Sequence, residues 1–264
     1  MRIGIFFGGL SREREISFAG GRTVYDNLDK TIFEAIPIFV DSFGNFVKLD
    51  WQFIYKGTIR DFYPPVNSTP PSPNHFQIYA EQIGNLNFHE QTDLLKQIGE
   101  PISLEQLKME IDFAFLALHG AFGEDGTIQG LLEYAGIPYS GSGILPSAIG
   151  MNKAVQKKMM KDAGWKMKPS FVIPRHDWFT EKKEDWLKRI ETEIGIPFVV
   201  RPANQGSSIG VSILKTVDIN KFEDSVDAAF FICKIEFDTW KHLNEEQQID
   251  YIRKIAEVKD GIGL

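Results

Sequence analysis

Short apolar runs that end at glycine, each followed by residues at helical spacing, organise the first half of the chain. Such a run is typical of a buried parallel strand whose end turns through a tight loop. The pattern predicts strands over residues 2–7, 33–39 and 112–118, and helices over residues 17–28 and 127–134. Strand, loop and helix recur in this order, so the sequence predicts an α/β fold with a parallel sheet.

The second half of the chain carries longer helical patterns and one hairpin. Two short apolar runs flank a loop rich in glycine and serine over residues 204–210, which predicts two antiparallel strands. A boundary between two lobes is expected near residues 138–143. The predicted elements are a long helix over 144–164, a strand over 168–173, a charged helix over 180–194, hairpin strands at 197–202 and 211–214, and a polar helix over 244–258.

A proline-rich stretch interrupts the first half over residues 54–75. Proline cannot donate the hydrogen bonds of a strand ladder, and several prolines in succession favour irregular structure. This stretch therefore predicts a surface excursion without a catalytic role.

Composition and charge narrow the class of protein. With 43% hydrophobic and 25% charged residues among 264, the chain resembles a globular protein of one large or two ordinary domains. With a formal net charge of -7, the chain has no excess of positive charge that would attract the phosphate backbone of a nucleic acid. No nucleic-acid partner is therefore expected. The single cysteine, Cys233, excludes an intrachain disulfide, and the short apolar start is too brief for a signal peptide or membrane span. We expect a cytoplasmic protein that does not bind membranes.

The loop after the third predicted strand is the first candidate site. Open α/β sheets bind ligands at the carboxyl ends of their strands, which is where residues 119–126 lie. Glycines let the backbone approach a ligand, and His119, Glu124 and Asp125 supply acid-base and hydrogen-bonding groups. The alternative is an ordinary strand-to-helix turn in which Asp125 caps the helix, and the two interpretations can coexist.

A second loop, residues 8–15, follows the first strand and is expected at the same edge of the sheet. Glu13 could there hold an ammonium group beside His119. The alternative is a solvated first turn of a helix, where carboxylates are common.

The loop of the predicted hairpin is a candidate for phosphate binding. Its backbone N–H groups and the hydroxyls of Ser207 and Ser208 suit a loop that folds over a triphosphate, and Arg201 adds a positive charge. Lys153 on the predicted long helix is a further cation. A simple hairpin turn and a solvated lysine face are the alternatives. The sequence has no GxxxxGK[ST] pattern, so this loop is not a P-loop.

A set of motifs in fixed order resembles the D-alanine--D-alanine ligase family of the ATP-grasp superfamily. The second motif matches that family's first signature at every fixed position. The motifs are F-G-G-L-S-R-E-R-E-I-S at 7–17, H-G-x-x-G-E-D-G-x-I-Q-G at 119–130, Y-S-G-S-G at 139–143, M-N-K at 151–153, and P-F-V-V-R-P through G-S-S-I-G at 197–210. The resemblance covers the chain up to about residue 215.

This resemblance implies a fold and a reaction. The fold is a Rossmann-like, pre-ATP-grasp parallel-sheet domain over residues 1–140 and an incomplete ATP-grasp central α+β domain over residues 141–264. The reaction joins two D-alanines with ATP in peptidoglycan precursor synthesis. One carboxylate attacks the γ-phosphate, and the amine of the second D-alanine attacks the acylphosphate, with Mg²⁺ or Mn²⁺ as cofactor. A homodimer formed through the N-terminal domain is also implied.

The same resemblance implies roles for individual residues. Glu13 binds the ammonium group of the first D-alanine with Ser17 nearby, and His119 lies against the carboxylate of that substrate. Ser207 is implied as a catalytic residue together with Glu13 and His119. The implied ATP-binding residues are Lys153, Arg201, Ser207 and Ser208.

Three departures from the family pattern lead to further expectations. Arg201 stands where the family usually has lysine, and Gln205 stands where an acidic residue is common. Beyond Leu214 the family's magnesium ligands and adenine contacts have no counterpart, and residues 218–264 do not resemble that part. We therefore expect a chain cut short, with its metal ligands outside it, at most weak nucleotide binding and no turnover.

Other classes of protein stay open on the sequence. The nearest alternative is another carboxylate-amine ligase of the ATP-grasp superfamily. The closest case, a D-alanine:D-lactate or D-alanine:D-serine ligase, would differ in the part that has no counterpart here. A non-catalytic nucleotide-binding protein could keep the same first half. A dinucleotide-binding module is disfavoured because the chain has no GxGxxG.

Overall fold

A computed structural model describes residues 1–63, 87–232, 235–248 and 251 of the chain. The chain divides into two compact units, Met1–Gly150 and Met151–Leu264. Each unit has a hydrophobic core of its own, with two clusters of buried side chains in the first unit and one in the second.

Five strands form a mixed sheet in the first unit: β1 (Arg2–Gly8), β2 (Glu34–Val40), β3 (Phe46–Leu49), β4 (Gly99–Ile102) and β5 (Phe113–Leu116). Their order is β4-β3-β2-β1-β5. The central β1 is parallel to β2 and β5, whereas β3 and β4 extend the sheet in antiparallel pairs. The predicted α/β fold and its three strands are confirmed, and the short β3 and β4 are additions that the apolar pattern does not predict.

Helices pack on this sheet because successive side chains of a strand point to opposite faces. Phe7 belongs to the cluster that contains Phe18, and Phe6 belongs to the cluster that contains Ile128 and Leu132. Each fully buried phenylalanine contributes about 1.5–3 kcal/mol. The helices of this unit are α1 (Arg14–Asn27), α2 (Phe88–Leu95), α3 (Leu104–Glu110), α4 (Thr127–Ala135) and α5 (Ile144–Met151). The predicted helices at 17–28 and 127–134 are confirmed as α1 and α4.

The start of the proline-rich stretch belongs to the core, so the prediction of a surface excursion is wrong for residues 54–63. This segment contains much of two 3₁₀ helices, Trp51–Tyr55 and Ile59–Asp61. Its large apolar and aromatic side chains pack in the first cluster together with Phe18 of α1. The free energy gained by this burial stabilises the segment in the core although its backbone is irregular. The side chains that are at most 4% exposed are those of Ile54, Ile59, Phe62 and Tyr63. Residues 64–75 lie outside the described residues.

The second unit packs helices against a two-stranded sheet. Its elements are α6 (Lys153–Asp162), α7 (Arg175–Thr180), α8 (Lys183–Glu193), β6 (Phe198–Val200), β7 (Ser212–Leu214), α9 (Ile219–Ala229) and α10 (Phe237–His242). The strands β6 and β7 are antiparallel, which confirms the predicted hairpin. Trp178 is 1% exposed and donates through Nε1 to Asp227 Oδ1 at 2.8 Å, so a buried polar pair links α7 to α9.

The single long helix predicted over residues 144–164 is wrong. The helix α5 ends at Met151 and α6 begins at Lys153. Between them, the side chain of Asn152 accepts hydrogen bonds from the backbone N–H groups of Ala154 and Val155 at 3.1 and 3.2 Å. An asparagine that bonds to nearby backbone in this way starts a new helix.

One further prediction in the second unit is wrong and another is confirmed. Residues 165–174 contain no strand, and Pro169 and Pro174 explain this because neither can donate to a strand ladder. The charged helix predicted over 180–194 is confirmed as α8, which begins three residues later, after α7 has closed with a bond from Glu181 N to Asp177 O. Cys233 and most of residues 244–258 lie outside the described residues.

Within the ranges that the structure describes, no helix has both the length and the apolar character that a membrane span requires.

Candidate active site

The carboxyl ends of β1 and β5 lie side by side at one edge of the first unit's sheet. These strands are parallel neighbours, with Ile3 opposite Phe113 and Phe6 opposite Leu116. The loops that follow them therefore leave the sheet at the same edge. The structure thus brings together the two loops that the sequence predicts to form one site.

Glu13 lies at the start of α1, and its carboxylate rests against the second loop. The residue is 4% exposed and occupies the N-cap position of α1. A β-carbon added to Gly120 would lie 2.6 Å from Glu13 Oε2, which no real contact of that kind allows. Gly120 also has a φ of 73°, a backbone conformation that favours glycine. Ionised carboxylates act only as acceptors, so Glu13 can receive hydrogen bonds from an ammonium group.

His119 stands at the start of the second loop with 40% of its side chain exposed. Its Nδ1 lies 3.9 Å from Glu124 Oε1, and its Nε2 lies 3.9 Å from the position of a β-carbon added to Gly20. The imidazole therefore lies over α1. Glu124 Oε2 accepts a hydrogen bond of 2.6 Å from the backbone N–H of Gly120, which holds the loop in its turn.

Ser17 lies one helical turn beyond Glu13, and its backbone N–H donates to Glu13 O at 3.0 Å. The residue is fully buried, and its Oγ accepts a hydrogen bond of 2.9 Å from Gly8 N. Its hydroxyl therefore fastens α1 to the end of β1, at the base of the site.

Ser11 is a site residue that sequence reasoning missed. Its hydroxyl donates to His119 O at 2.5 Å and accepts from Glu13 N at 3.0 Å, so it touches both loops. The one sequence signal is a serine just before a helix start, where hydroxyls commonly bond to nearby backbone. That signal does not reveal the contact with a residue more than a hundred positions away.

Asp125 shapes the second loop as the sequence suggested for an ordinary turn. Its carboxylate accepts hydrogen bonds from Phe122 N at 2.9 Å and Thr127 N at 3.1 Å, just before α4 begins. Partial burial opposes ionisation of Asp125, but the hydrogen bonds from Phe122 and Thr127 outweigh it and lower the pKa of the carboxyl. The structure thus confirms the turn in which Asp125 bonds to the start of the helix.

A buried polar cluster lies at the end of β2, next to the first loop. The Tyr63 hydroxyl donates to Asp41 Oδ2 at 3.0 Å, and both residues are at most 2% exposed. Asp41 also accepts from Phe43 N and Asn45 N, which fixes the turn between β2 and β3. Burial and the Asp41 charge raise the pKa of the Tyr63 phenol far above its usual range, partly offset by the nearby Arg14 guanidinium.

An apolar pocket of about 420 Å³ opens at the same edge of the sheet. Gly9, Leu10 and Gly44 line one side of it, and residues from the second loop and α4 line the other. Side chains such as those of Leu118 and Ile128 make the lining of the pocket mostly apolar, so the pocket is suited to aliphatic groups rather than to charged ones.

The second unit holds the predicted phosphate-binding residues around the β6–β7 loop. The Lys153 Nζ donates to Gln205 O at 2.8 Å, and Lys153 N donates to Ala203 O at 2.9 Å. Both contacts join the start of α6 to this loop. Ser207 and Ser208 have left-handed φ values of 48° and 60° and are exposed, as is Arg201 at the end of β6. The structure therefore gathers two cations and two hydroxyls around one loop of the second unit.

Among the residues for which a structure is described, no group of three or more His, Cys, Asp and Glu side chains could hold a metal ion. These residues therefore do not fit a magnesium site by themselves.

Two family models match the chain and together span most of it. The model described as D-ala D-ala ligase N-terminus matches residues 2–142, which include both loops of the first unit. The model described as D-ala D-ala ligase C-terminus matches residues 159–234. The chain belongs to the D-ala D-ala ligase family. The family resemblance predicted from the sequence is thereby confirmed. Its expected limit near residue 215 is wrong, because the second model extends to residue 234 and so includes residues 218–234.

Curated members of this family are similar to the chain along most of its length. The D-alanine--D-alanine ligase of Caldicellulosiruptor bescii is 35% identical over 215 residues, which cover 81% of this chain and 53% of that protein. The D-alanine--D-alanine ligase of Thermosipho melanesiensis is 34% identical over 250 residues, with 93% and 61% covered. D-alanine--D-alanine ligase A of Escherichia coli K12 is 31% identical over 231 residues, with 87% and 57% covered. The chain thus spans little more than half the length of these relatives.

Solved structures of the D-ala D-ala ligase family share the fold. The D-alanine-D-alanine ligase from Coxiella burnetii has a TM-score of 0.62 at 24% identity, with 87% of this chain and 60% of that chain covered. The ligase from Helicobacter pylori has the same TM-score, identity and coverage. At this level of identity the likeness concerns the fold, and it agrees with the predicted α/β class.

Proposed function

We propose that this chain supplies substrate-binding groups for the ATP-dependent ligation of two D-alanines to D-alanyl-D-alanine, a step of peptidoglycan precursor synthesis. The observation that carries the proposal is the contact between the Glu13 carboxylate and the loop of His119, at the sheet edge where α/β proteins bind ligands. Relatives named D-alanine--D-alanine ligase support the choice of substrate.

In this proposal the first D-alanine lies between Glu13 and His119. Glu13 accepts hydrogen bonds from its ammonium group, and His119 lies against its carboxylate. The exposed fraction of the His119 side chain, 40%, supports a role in contact with a ligand. Ser17 acts from the base of the site, where its hydroxyl holds the start of α1 against Gly8.

The second unit takes ATP in this proposal. Lys153 and Arg201 bind its phosphates as cations, and the loop that carries Ser207 and Ser208 closes over them. Phosphate oxygens match guanidinium and ammonium donors, and a loop rich in glycine and serine offers backbone N–H groups as well. The contact of Lys153 Nζ with Gln205 O supports a shared role, because it holds the amine at the loop.

The proposed chemistry has two steps. A D-alanine carboxylate attacks the γ-phosphate of ATP, which breaks the bond to the β-phosphate, releases ADP and forms an acylphosphate. The amine of the second D-alanine then attacks the acyl carbon, and orthophosphate and a proton leave as the peptide bond forms. Like charges approach in the first step, so cations and N–H groups must neutralise the transferring phosphoryl group. Ser207 is proposed to serve this step together with the two cations. Mg²⁺ would reduce the phosphate charge further, but the described residues do not offer it a site of their own.

We also propose a homodimer formed through the first unit. Met109 of α3 and Tyr134 of α4 are 68% and 89% exposed on two helices that contact each other, so they are suitable positions at which to test it. Sedimentation velocity of the wild-type chain and of a Met109→Glu, Tyr134→Glu variant tests this proposal. A dimer that the variant converts to monomer supports it, and a monomeric wild-type chain contradicts it.

The proposed substrate site is tested by a matched pair of glycine variants. Gly120 and Gly136 have nearly equal φ values of 73° and 71°, so alanine strains both backbones alike. A β-carbon on Gly120 meets Glu13 Oε2, whereas a β-carbon on Gly136 meets nothing within 4 Å. We expect Gly120→Ala to weaken D-alanine binding about tenfold or more and Gly136→Ala to leave it unchanged.

D-alanine binding is measured by NMR titration of the wild-type chain and both variants, with L-alanine and D-lactate as control ligands. Saturable binding of D-alanine that is lost only in Gly120→Ala supports the proposed site. Equal affinity in both variants, or equal response to L-alanine, contradicts it. A parallel titration with ATP tests the expectation of weak nucleotide binding, and full-length protein assayed with ATP, Mg²⁺ and D-alanine tests the reaction.

A further inference from the structure

The hydroxyl of Ser11 forms a bridge between the two loops of the candidate active site. It donates to His119 O at 2.5 Å and accepts from Glu13 N at 3.0 Å. The residue is 5% exposed, so water does not readily replace either bond. One side chain therefore bonds to the backbone of both residues that are proposed to hold the first substrate.

The surrounding contacts leave little room for the loops to shift. A β-carbon added to Gly120 would lie 2.6 Å from Glu13 Oε2 and 2.9 Å from Ser11 Oγ. The carboxylate and the hydroxyl therefore lie against the same glycine. Arg14 Nε also donates to Ser11 O at 3.4 Å, which holds the serine backbone from the helix side. The spacing between Glu13 and His119 is thus defined at Ser11.

Two other hydrogen bonds near the site act within one loop. Gly8 N donates to Ser17 Oγ at the base of the first loop. Gly120 N donates to Glu124 Oε2 inside the second loop. These bonds preserve the shape of each loop but do not fix one loop relative to the other. The bond from Ser11 Oγ to His119 O does run between them.

We infer that Ser11 is a positioning residue that sets the distance between Glu13 and His119 for a zwitterionic amino-acid ligand. The inference rests on the proposed function, because it assigns the ammonium group to Glu13 and the carboxylate to His119. A ligand with two opposite charges at fixed separation needs both partners at a fixed separation. A displacement of about 1 Å can reduce the effectiveness of such a site on the order of a hundredfold.

The test compares Ser11→Ala with Ser42→Ala in the full 264-residue chain. Ser42 is 9% exposed, and its Oγ has no hydrogen-bond partner among the described residues, so its variant loses a buried hydroxyl that bonds nothing. The first readout is the hydrogen exchange rate of the Glu13 amide, and the second is D-alanine affinity by NMR titration. Ser11→Thr, which keeps a hydroxyl, serves as the conservative variant.

In Ser11→Ala we expect the hydrogen of the Glu13 amide to exchange about tenfold faster than in the wild-type chain. We expect the same variant to bind D-alanine about tenfold or more weakly. Ser42→Ala should match the wild-type chain in both readouts, and Ser11→Thr should restore both to within about threefold. Wild-type affinity in Ser11→Ala, or an equal loss in Ser42→Ala, overturns the inference. The comparison of the two alanine variants is decisive even if the threonine variant does not fold.

A failure of the proposed function gives a different result. The wild-type chain would then show no saturable response to D-alanine, whereas its Glu13 amide would still be protected. In that case exchange alone decides the role of Ser11. Faster exchange in Ser11→Ala and not in Ser42→Ala keeps Ser11 as the residue that positions Glu13, and equal rates overturn that role.

Discussion

At the scale of single residues, a buried hydrogen-bonded carboxylate fixes the turn between β2 and β3. Asp41 is fully buried and is bonded by Tyr63, Phe43 and Asn45. A buried carboxylate is stabilised only while its oxygens keep such donors. The turn between β2 and β3 and the segment that ends at Tyr63 therefore depend on each other through one side chain.

We predict that Tyr63→Phe lowers the free energy of unfolding by about 1–3 kcal/mol, because it removes a donor from a buried carboxylate. Chemical denaturation measures the change. Tyr139→Phe is the matched control, since Tyr139 also donates to a carboxylate, that of Glu133, but at an exposed position. Its effect should stay within about 0.5 kcal/mol. Equal losses in the two variants would contradict the importance of burial.

The pair formed by Arg2 and Asp112 leads to a prediction about pH. Hydrogen bonds from the Arg2 side chain and backbone lower the pKa of Asp112 to about 2. Since the folded pKa lies below the unfolded value of about 4, the pair stabilises the fold above that pH. This stabilisation is lost as pH falls through about 2. We expect Asp112→Asn to be less stable than the wild-type chain at pH 6, with the difference shrinking between about pH 4 and pH 2.

Urea unfolding at a series of pH values tests the Asp112 prediction. Asp93→Asn is the control. The ion pair of Asp93 with Lys96 joins residues of one helical turn, whereas the pair of Asp112 with Arg2 joins residues that are distant in the sequence. A difference for Asp112→Asn that stays constant down to pH 2 would mean that the carboxylate does not titrate as described.

At the scale of elements, the break between α5 and α6 depends on one asparagine. Asn152 accepts from two backbone N–H groups at the start of α6, and the next residue, Lys153, donates to Ala203 O. The cap thereby fixes both the start of the helix and the position of Lys153 at the β6–β7 loop. We predict that Asn152→Ala destabilises the chain by about 1 kcal/mol, whereas Asn152→Asp, which keeps an acceptor, stays near wild type.

Thermal unfolding followed by circular dichroism measures the effect of the Asn152 variants. Equal midpoints for the alanine and aspartate variants would show that the cap is not what starts α6.

The elements that the sequence predicts well are those decided by burial. The strands β1 and β2 are largely apolar runs whose burial on both faces is visible in the sequence, and β5 is an apolar run that is partly buried at the edge of the sheet. The break at Asn152 is hard to predict, because apolar spacing continues across it and only the side-chain bonds interrupt the helix. The strand expected at residues 168–173 is absent, and Pro169 within that range is the sequence signal against it, because proline cannot donate to a strand ladder.

In the candidate site, too, some neighbours can be predicted from the sequence and others depend on contacts between residues that are distant in it. Glu13 and His119 are predictable as neighbours, because parallel strands end at one edge of the sheet. Ser11 is not predictable in the same way, since its role depends on the backbone carbonyl of His119, 108 positions later. The packing of Phe62 and Tyr63 is likewise hidden, since local prolines dominate the sequence pattern there.

At the scale of the whole molecule, the candidate ligand groups are divided between the two units. Glu13 and His119 belong to the first unit, and Lys153 and Arg201 belong to the second. Each set is held by hydrogen bonds inside its own unit, as the contacts of Ser11 and of Lys153 illustrate. The proposed binding of an amino acid and of a nucleotide should therefore be separable by mutation.

We predict that Glu13→Gln weakens D-alanine binding about tenfold or more while ATP binding stays unchanged, and that Arg201→Gln does the reverse. Each substitution removes a charge that bonds to one ligand only. NMR titration with D-alanine and calorimetry with ATP measure the two affinities, and unchanged melting temperatures exclude unfolding as the cause. If both variants weakened both ligands alike, the two ligands could not occupy separate sets of groups, and the division of roles between the units would be wrong.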